Sequence, residues 1–465
     1  MREPKPLYVK DENLCLVTDF YQLTMAAGYF QNDMNRPATF ELFVRKMPEN
    51  RSFLLAAGLE QALHYLRHLH FSKEYIDFLR HHPSFKYVKG GFFKYLKDFR
   101  FSGDVYAIPE GTAVFAEEPI LRITAPMIET QLVETFLLAT INFQTLIASK
   151  AARVVLAARD REVTDFGSRR AHGPQAAVLA ARACFIGGCT STSNVLAGYE
   201  LGIPVLGTMA HSWVMAFDSE EEAFRRFYNV FPESTALLID TYDTLKAAGL
   251  ARDIGLADKL LAVRIDSGDL LKLSKGVRRI LDEAGLKYVK IMASGDLNED
   301  RVAELLDKGA PIDLFGVGTE MVTSKDQPAL GGIYKLVEQE WHGRAIPKMK
   351  FSEDKVFYPA KKQVYRLFNE RGECKEDVIG LEDEDIGGVA LLEPAMKEGR
   401  ICIDLPDIKD IRKRALESLV HLPQGLKALK TTEMYPVNKS QRLEELKKHT
   451  EEGLREANKP ALKRP

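Results

Sequence analysis

Five polar clusters follow apolar runs in the middle of this chain: DFGSRR (Asp165–Arg170), GTMAHS (Gly207–Ser212), RIDSGD (Arg264–Asp269), ASGD (Ala293–Asp296) and FGVGTE (Phe315–Glu320). In the last, Gly316 and Gly318 let backbone N–H groups approach a phosphate, and Thr319 adds a hydroxyl. The same glycines would also serve a tight turn. Two clusters share Ser-Gly-Asp, and a carboxylate beside a glycine turn suits ribose hydroxyls or a magnesium ion. One of the two is Ser294, Gly295 and Asp296. In the other, Asp269 could simply cap the helix beginning near Leu270. Arg264 and Asp266 stand two apart on a strand, so both side chains face the same way. The pair is either structural or offers a guanidinium fork to a carboxylate or phosphate. In DFGSRR, Phe166 could stack on a planar ligand or fill the core, and Arg169 and Arg170 beside Gly167 make an anion site. His211, followed by Ser212, suits a general base or a phospho-acceptor, although a lone His is often structural.

Several other chemistries are excluded. DFG suggests a kinase, but no G-x-G-x-x-G loop precedes it and no H-R-D follows. No Walker A motif and no G-x-S-x-G is present. Leu237–Thr244 (LLIDTYDT) lacks the adjacent acids and glycine turn of a flavodoxin-like phosphoribosyltransferase loop and reads as a buried strand end. The five cysteines are scattered, with no C-x-x-C, and read as reduced buried thiols of a cytosolic protein. The 465 residues carry 64 basic and 66 acidic side chains, a net charge of −2. A dedicated nucleic-acid surface would show a basic excess. A hydrophobic content of 45% argues against disorder. The charged N-terminal stretch does not read as a secretory signal, and no apolar run is long enough to span a membrane.

The elements that must position these clusters are legible in outline. Short apolar runs at Val163–Phe166, Pro204–Thr208, Leu261–Ile265, Tyr288–Ala293 and Ile312–Val317 alternate with helical patterns such as Leu270–Glu283 and Asp300–Lys308. This predicts an α/β fold with a parallel sheet, either doubly wound or closed into a barrel. The clusters then share the carboxyl edge of that sheet, the active-site face of a barrel. Earlier, Thr18–Phe30 reads as a helix opened by an Asp19/Gln22 capping box. Strands are expected at Asp104–Ile108, Thr112–Phe115 and Ile120–Thr124, with helices at Met127–Ala158, in two pieces, and Pro174–Ile186. Later, strands are expected at Lys348–Tyr358 and Gln363–Phe368, a charged helix at Asn438–Ala457 and a frayed tail at Lys459–Pro465.

Taken in order, DFYQLTMAAGYF, DFGSRRAHG, TSTSNVLAG, GTMAHSW, RIDSGDL, ASGDL and FGVGTEMVTSKDQPALGGIYKLVE resemble the nicotinate phosphoribosyltransferase family, over about residues 14–338. The resemblance implies an irregular TIM-like (β/α) barrel, residues 146–345. It implies a smaller α+β domain from residues 1–145, completed by 346–465. It implies a cytoplasmic homodimer with shared active sites that joins nicotinate to PRPP, using ATP and Mg²⁺, in NAD biosynthesis. His211 would be transiently phosphorylated. Phe166 and the partner's Tyr21 would sandwich the pyridine ring. Arg264 would face the nicotinate carboxylate or PRPP, Asp266 the ribose and pyrophosphate, and Arg169 a substrate. Ser294, Gly295, Asp296, Gly318 and Thr319 would hold the ribose and 5′-phosphate. The metal ligands stay unassigned. The alternatives are nicotinamide phosphoribosyltransferase and a non-catalytic metabolite-binding relative.

Acid and amide substrates are separated by one position. Amide-using relatives resemble this chain but place an Asp where Ser193 stands, and an Asp would repel a carboxylate. With PRPP and Mg²⁺, the purified protein is therefore expected to convert nicotinate much faster than nicotinamide. Equal rates would rule out the role given to Ser193.

Overall fold

The computed structural model of the chain describes residues 7–253, 260–350, 357–430 and 433–457. Among these the strands form sheets of seven, six, four and two strands. The six-stranded sheet carries the clusters. Its strands are β1 (Glu162–Asp165), β2 (Ser191–Thr192), β3 (Ala236–Leu238), β4 (Ala262–Ile265), β5 (Lys290–Ser294) and β6 (Leu314–Val317). They lie in the order β2-β1-β6-β5-β4-β3, with every neighbouring pair parallel, and curl into a half-barrel. The strands are almost wholly buried because both faces are covered, which is why they read as apolar runs rather than alternating ones.

Four helices matter for the site: α1 (Glu134–Ala158), α2 (Pro174–Ile186), α3 (Leu270–Glu283) and α4 (Glu299–Asp307). Asp269 caps α3 by accepting from Lys272 N at 3.1 Å, and Asn298 caps α4 by accepting from Arg301 N at 2.9 Å. Satisfying these first-turn amides fixes where each helix leaves its strand.

The seven-stranded antiparallel sheet draws on distant parts of the chain. Its order is Arg344–Pro347, Gly332–Trp341, Pro37–Val44, Pro119–Pro126, Asp104–Ala107, Glu393–Lys397 and Arg400–Ile401. The long helix α1 joins the two halves. Leu137, Ile141 and Leu146 lie in the core under this sheet. Ile147, Ala151, Val154 and Ala158 lie in the core of the parallel sheet.

Three sequence expectations fail. Pro204–Thr208 forms no strand; only Val205 bridges to Thr192. Thr192 N donates to Pro204 O and Leu206 N to Thr192 O, which makes that one bridge, and Pro204 has no N–H with which to extend it. The helix Phe20–Gln31 starts as expected, but the capping box does not form. Tertiary partners take both side chains: the Asp19 carboxylate accepts from Thr135 Oγ1, and buried Gln22 donates to Glu134. The expected Lys348–Tyr358 strand has no strand in its described flanks, and 351–356 and 458–465 lie outside the described residues.

Helix α2 is pinned by a buried charge. The Arg182 guanidinium grips both Glu110 oxygens at 2.8 Å and also donates to Gln144 and Glu60. Burial opposes ionisation of Glu110, but Arg182 outweighs it and holds the carboxyl below its usual range. Glu110→Ala removes the buried carboxylate and leaves the cation only Glu60 and Gln144, and breaking a buried pair in this way costs about 3 kcal/mol or more. Equilibrium urea unfolding is expected to show that loss, and a change below about 0.5 kcal/mol would contradict it.

Candidate active site

The carboxyl ends of β1, β4, β5 and β6 bring the polar clusters together around Asp266. Its Oδ1 accepts from Ser294 Oγ at 2.5 Å. Its Oδ2 lies 4.0 Å from His211 Nε2, and Arg264 lies 3.6 Å from Oδ1. The strand period therefore does put Arg264 and Asp266 on one face. Ser294 reaches Asp266 because β5 pairs with β4 in register, with Ala293 beside Ile265.

Gly295 makes this contact possible. Its φ is +89°, and a Cβ there would stand 2.0 Å from the Asp266 carbonyl oxygen. Asp296 follows with φ +45°, also left-handed. Gly316 does a similar service for Phe166, since a Cβ at that position would meet the ring at 2.6 Å. The Phe166 backbone N donates to Val317 O at 2.8 Å, which seats the ring above β6. Arg264 lies 5.8 Å from the centre of that ring.

Electrostatics mark the centre of the cluster. Burial pulls the Arg264 guanidinium below its ordinary value, with Asp266 and Asp240 opposing and Arg169 adding to the effect. Arg169 is thus within electrostatic reach, although exposed on the turn Ser168–Arg170. Asp165 is buried and its carboxyl is pushed up by that burial, while Thr192 Oγ1 and Gly167 N donate to it. It acts from below the surface by fixing the Phe166–Gly167 turn. Ser193 N donates to Asp165 O at 2.8 Å, which ties the TSTSN segment to the same turn.

Sequence reasoning missed three contributors. Leu237–Thr244 is a strand end, but Asp240 beyond it joins the cluster. Its Oδ2 accepts from Asp266 N at 3.0 Å and from Ser267 Oγ at 2.6 Å. Thr241 Oγ1 lies 3.2 Å from His211 Nδ1. Thr208 accepts a hydrogen bond from Arg264. The signal was there: an acid just past an apolar strand, the pattern of the other clusters. Among the described residues, Arg264 Nε and Asp240 Oδ1 are buried with no hydrogen-bond partner. Other buried atoms, such as Arg182 Nε, share this state, but these two stand among the polar clusters at the strand ends, where a polar ligand could satisfy them. A cavity of about 260 Å³ extends from Thr208 to the strand starts at Glu162, Ala236, Ala262, Lys290 and Leu314.

Other expected residues lie at the rim or beyond it. Gly318 packs beside the Phe166 carbonyl, and Thr319 opens the short helix Thr319–Val322. Ser212 and Arg170 are exposed. Tyr21 is 48% exposed on Phe20–Gln31, and its neighbours are Glu134 and Asp19 rather than Phe166.

A histidine, two carboxylates, a buried arginine and a glycine loop at the ends of parallel strands define an α/β enzyme of group transfer. Residues 16–142 match the nicotinate phosphoribosyltransferase (NAPRTase) N-terminal domain, 161–342 the NAPRTase family and 389–447 the C-terminal domain. The chain is 46% identical to the nicotinate phosphoribosyltransferase pncB2 of Mycobacterium tuberculosis, over 92% of each chain. It is 38% identical to the nicotinate phosphoribosyltransferase of Bacillus subtilis, over 96% of this chain and 99% of that one. Human nicotinic acid phosphoribosyltransferase superposes with a TM-score of 0.82 at 28% identity, over 93% of this chain and 99% of that one. The chain belongs to the nicotinate phosphoribosyltransferase family.

Gly295→Ala is expected to lower kcat/KM about 100-fold, because a shift near 1 Å at Asp266 misaligns the centre. A variant within about twofold of wild type would discount the close approach.

Proposed function

We propose that this chain transfers the phosphoribosyl group of PRPP to the ring nitrogen of nicotinate, coupled to ATP hydrolysis, in NAD biosynthesis. The observation that carries it is the meeting of His211, Arg264, Asp266 and Ser294 at one set of strand ends. The bond from the ribose anomeric carbon to pyrophosphate breaks, and a bond to the pyridine nitrogen forms. Positive charge develops at the anomeric carbon and negative charge on the leaving pyrophosphate. Asp266 serves the first and Arg264 the second or the nicotinate carboxylate, in a site whose groups are already oriented. Phe166 orients the flat ring by stacking, with Arg169 near its charge. Ser193 leaves the carboxylate unopposed. The nitrogen lone pair attacks, so no strong base is needed.

His211 is read as the phospho-acceptor. With Thr241 beside Nδ1, the proton can reside there and the Nε2 lone pair faces the cleft. Nε2 takes the γ-phosphoryl group as ADP leaves, and water later removes it. Asp240 and Asp266 supply oxygen donors, one of them an unpartnered buried oxygen, and so fit Mg²⁺. When bound, that ion would neutralise pyrophosphate charge. Ser294, Gly295, Asp296, Gly318 and Thr319 are assigned to the ribose and 5′-phosphate.

The exposed apolar residues Phe20, Tyr21 and Met25, with Val195, Leu196 and Tyr199, support a homodimer in which the partner lends Tyr21. The six-stranded sheet is read as the wall of an irregular barrel, residues 146–345, with 1–145 and 346–465 forming the α+β part of a cytoplasmic enzyme.

His211→Ala is expected to abolish stimulation by ATP while leaving some PRPP-dependent transfer, measured as nicotinate mononucleotide formed with and without ATP. Surviving stimulation would remove the phosphohistidine from this reading.

A further inference from the structure

The long helix α1 sends Lys150 into the protein, where its side chain is 2% exposed. Two carboxylates meet it. Glu299 Oε2 is 2.5 Å away and Asp326 Oδ1 is 2.9 Å away. These acids come from different loops. Glu299 begins α4, three residues beyond Asp296, and Asp326 follows the Gly318–Thr319 turn. Arg153 Nε also donates to Glu299 at 3.1 Å. Arg51 donates to both Asp326 oxygens and to Ser324 Oγ.

We propose that Lys150 is a positioning residue that sets the spacing between the two loops assigned to the phosphoribosyl group, Ser294–Asp296 and Gly318–Thr319. The proposal rests on the transfer reaction above. Burying an ammonium is unfavourable unless carboxylates meet it, and an apolar side chain would serve stability as well or better. A charge retained here acts as a fixed point, since it holds two acids within 3 Å of one atom. Both acids stay ionised. Burial pushes Asp326 up, but hydrogen bonds and charge from Arg51 and Lys150 outweigh it and hold the carboxyl well below its usual range. Burial likewise opposes ionisation of Glu299, and Lys150 and Arg153 overcome it. A second link runs the same way. Lys325 pairs with Glu320 at 2.7 Å and feels the Asp296 carboxylate. Ser324, buried between Lys325 and the turn, holds φ at +41°, a left-handed value that its surroundings must enforce.

Steady-state assays on the full chain test the proposal. Lys150→Met is expected to raise KM for PRPP about tenfold while KM for nicotinate stays within about twofold. Lys150→Arg is expected to recover most of the loss. Asp326→Asn keeps the Lys150–Glu299 pair and should show the same selective loss, so it serves if Lys150→Met does not fold. Calorimetric binding of PRPP separates this proposal from the reaction it rests on. A wild-type chain that binds PRPP without transferring it overturns the reaction and leaves the loop spacing to be judged by PRPP affinity. A wild-type chain that binds no PRPP overturns both. A folded Lys150→Met protein with unchanged KM and affinity for PRPP overturns the proposal. So do equal rises in both KM values, or the unfolding of every variant.

Discussion

The Asp266 carboxylate is the point on which the cleft depends. It takes the Ser294 hydroxyl, faces His211 and Arg264, and is held through its own backbone N–H by Asp240. Residues from three strand ends and one helix start therefore share one hub. Several of these side chains are fixed by a neighbour from another segment: Asp266 by Ser294 and Asp240, Arg264 by Thr208, and His211 by Thr241. Parallel pairing makes this affordable in sequence terms: the register of β4 against β5 brings the same face of each strand to the same height. The close approach at Gly295 then closes the gap that a side chain would hold open.

Charge is managed locally. A chain of net charge −2 shows no bulk attraction for anions. Yet Arg264 is largely buried and its Nε has no hydrogen-bond partner among the described residues. Arginine tolerates this because its guanidinium stays protonated even when burial disfavours the charge. Elsewhere a buried cation meets paired carboxylates, as Arg182 does at Glu110 and Glu60. Arg182 sits 2.8 Å from each of its acids, whereas Arg264 stands 3.6 Å from Asp266 at the open strand ends.

Local chemistry was the legible part of the sequence. The Asp269 cap, the existence of β4–β6, the carboxyl ends of β4 and β6, and the gathering of polar clusters at that edge all follow from short-range patterns. What escaped was set by distant partners. Asp19 and Gln22 have the spacing of a capping box, but Thr135 and Glu134 claim them across more than 100 residues. Pro204–Thr208 has strand composition, but its proline denies the ladder a donor. Asp240 was overlooked because its apolar run resembled a failed version of another motif. Lys150 was invisible, since a lysine in a helical pattern reads as solvated until two acids from other loops are seen beside it.

Helix α1 belongs to both hydrophobic cores without a break, Leu146 facing one and Ile147 the other. The two halves therefore share a single rigid rod rather than a linker. Neither can melt without exposing the far end of the same helix, so heat or denaturant meets one cooperative unit despite two sheets of different architecture. The arrangement also carries a liability: a destabilising change under the antiparallel sheet, far from any substrate, lowers the fraction of chains with an intact cleft.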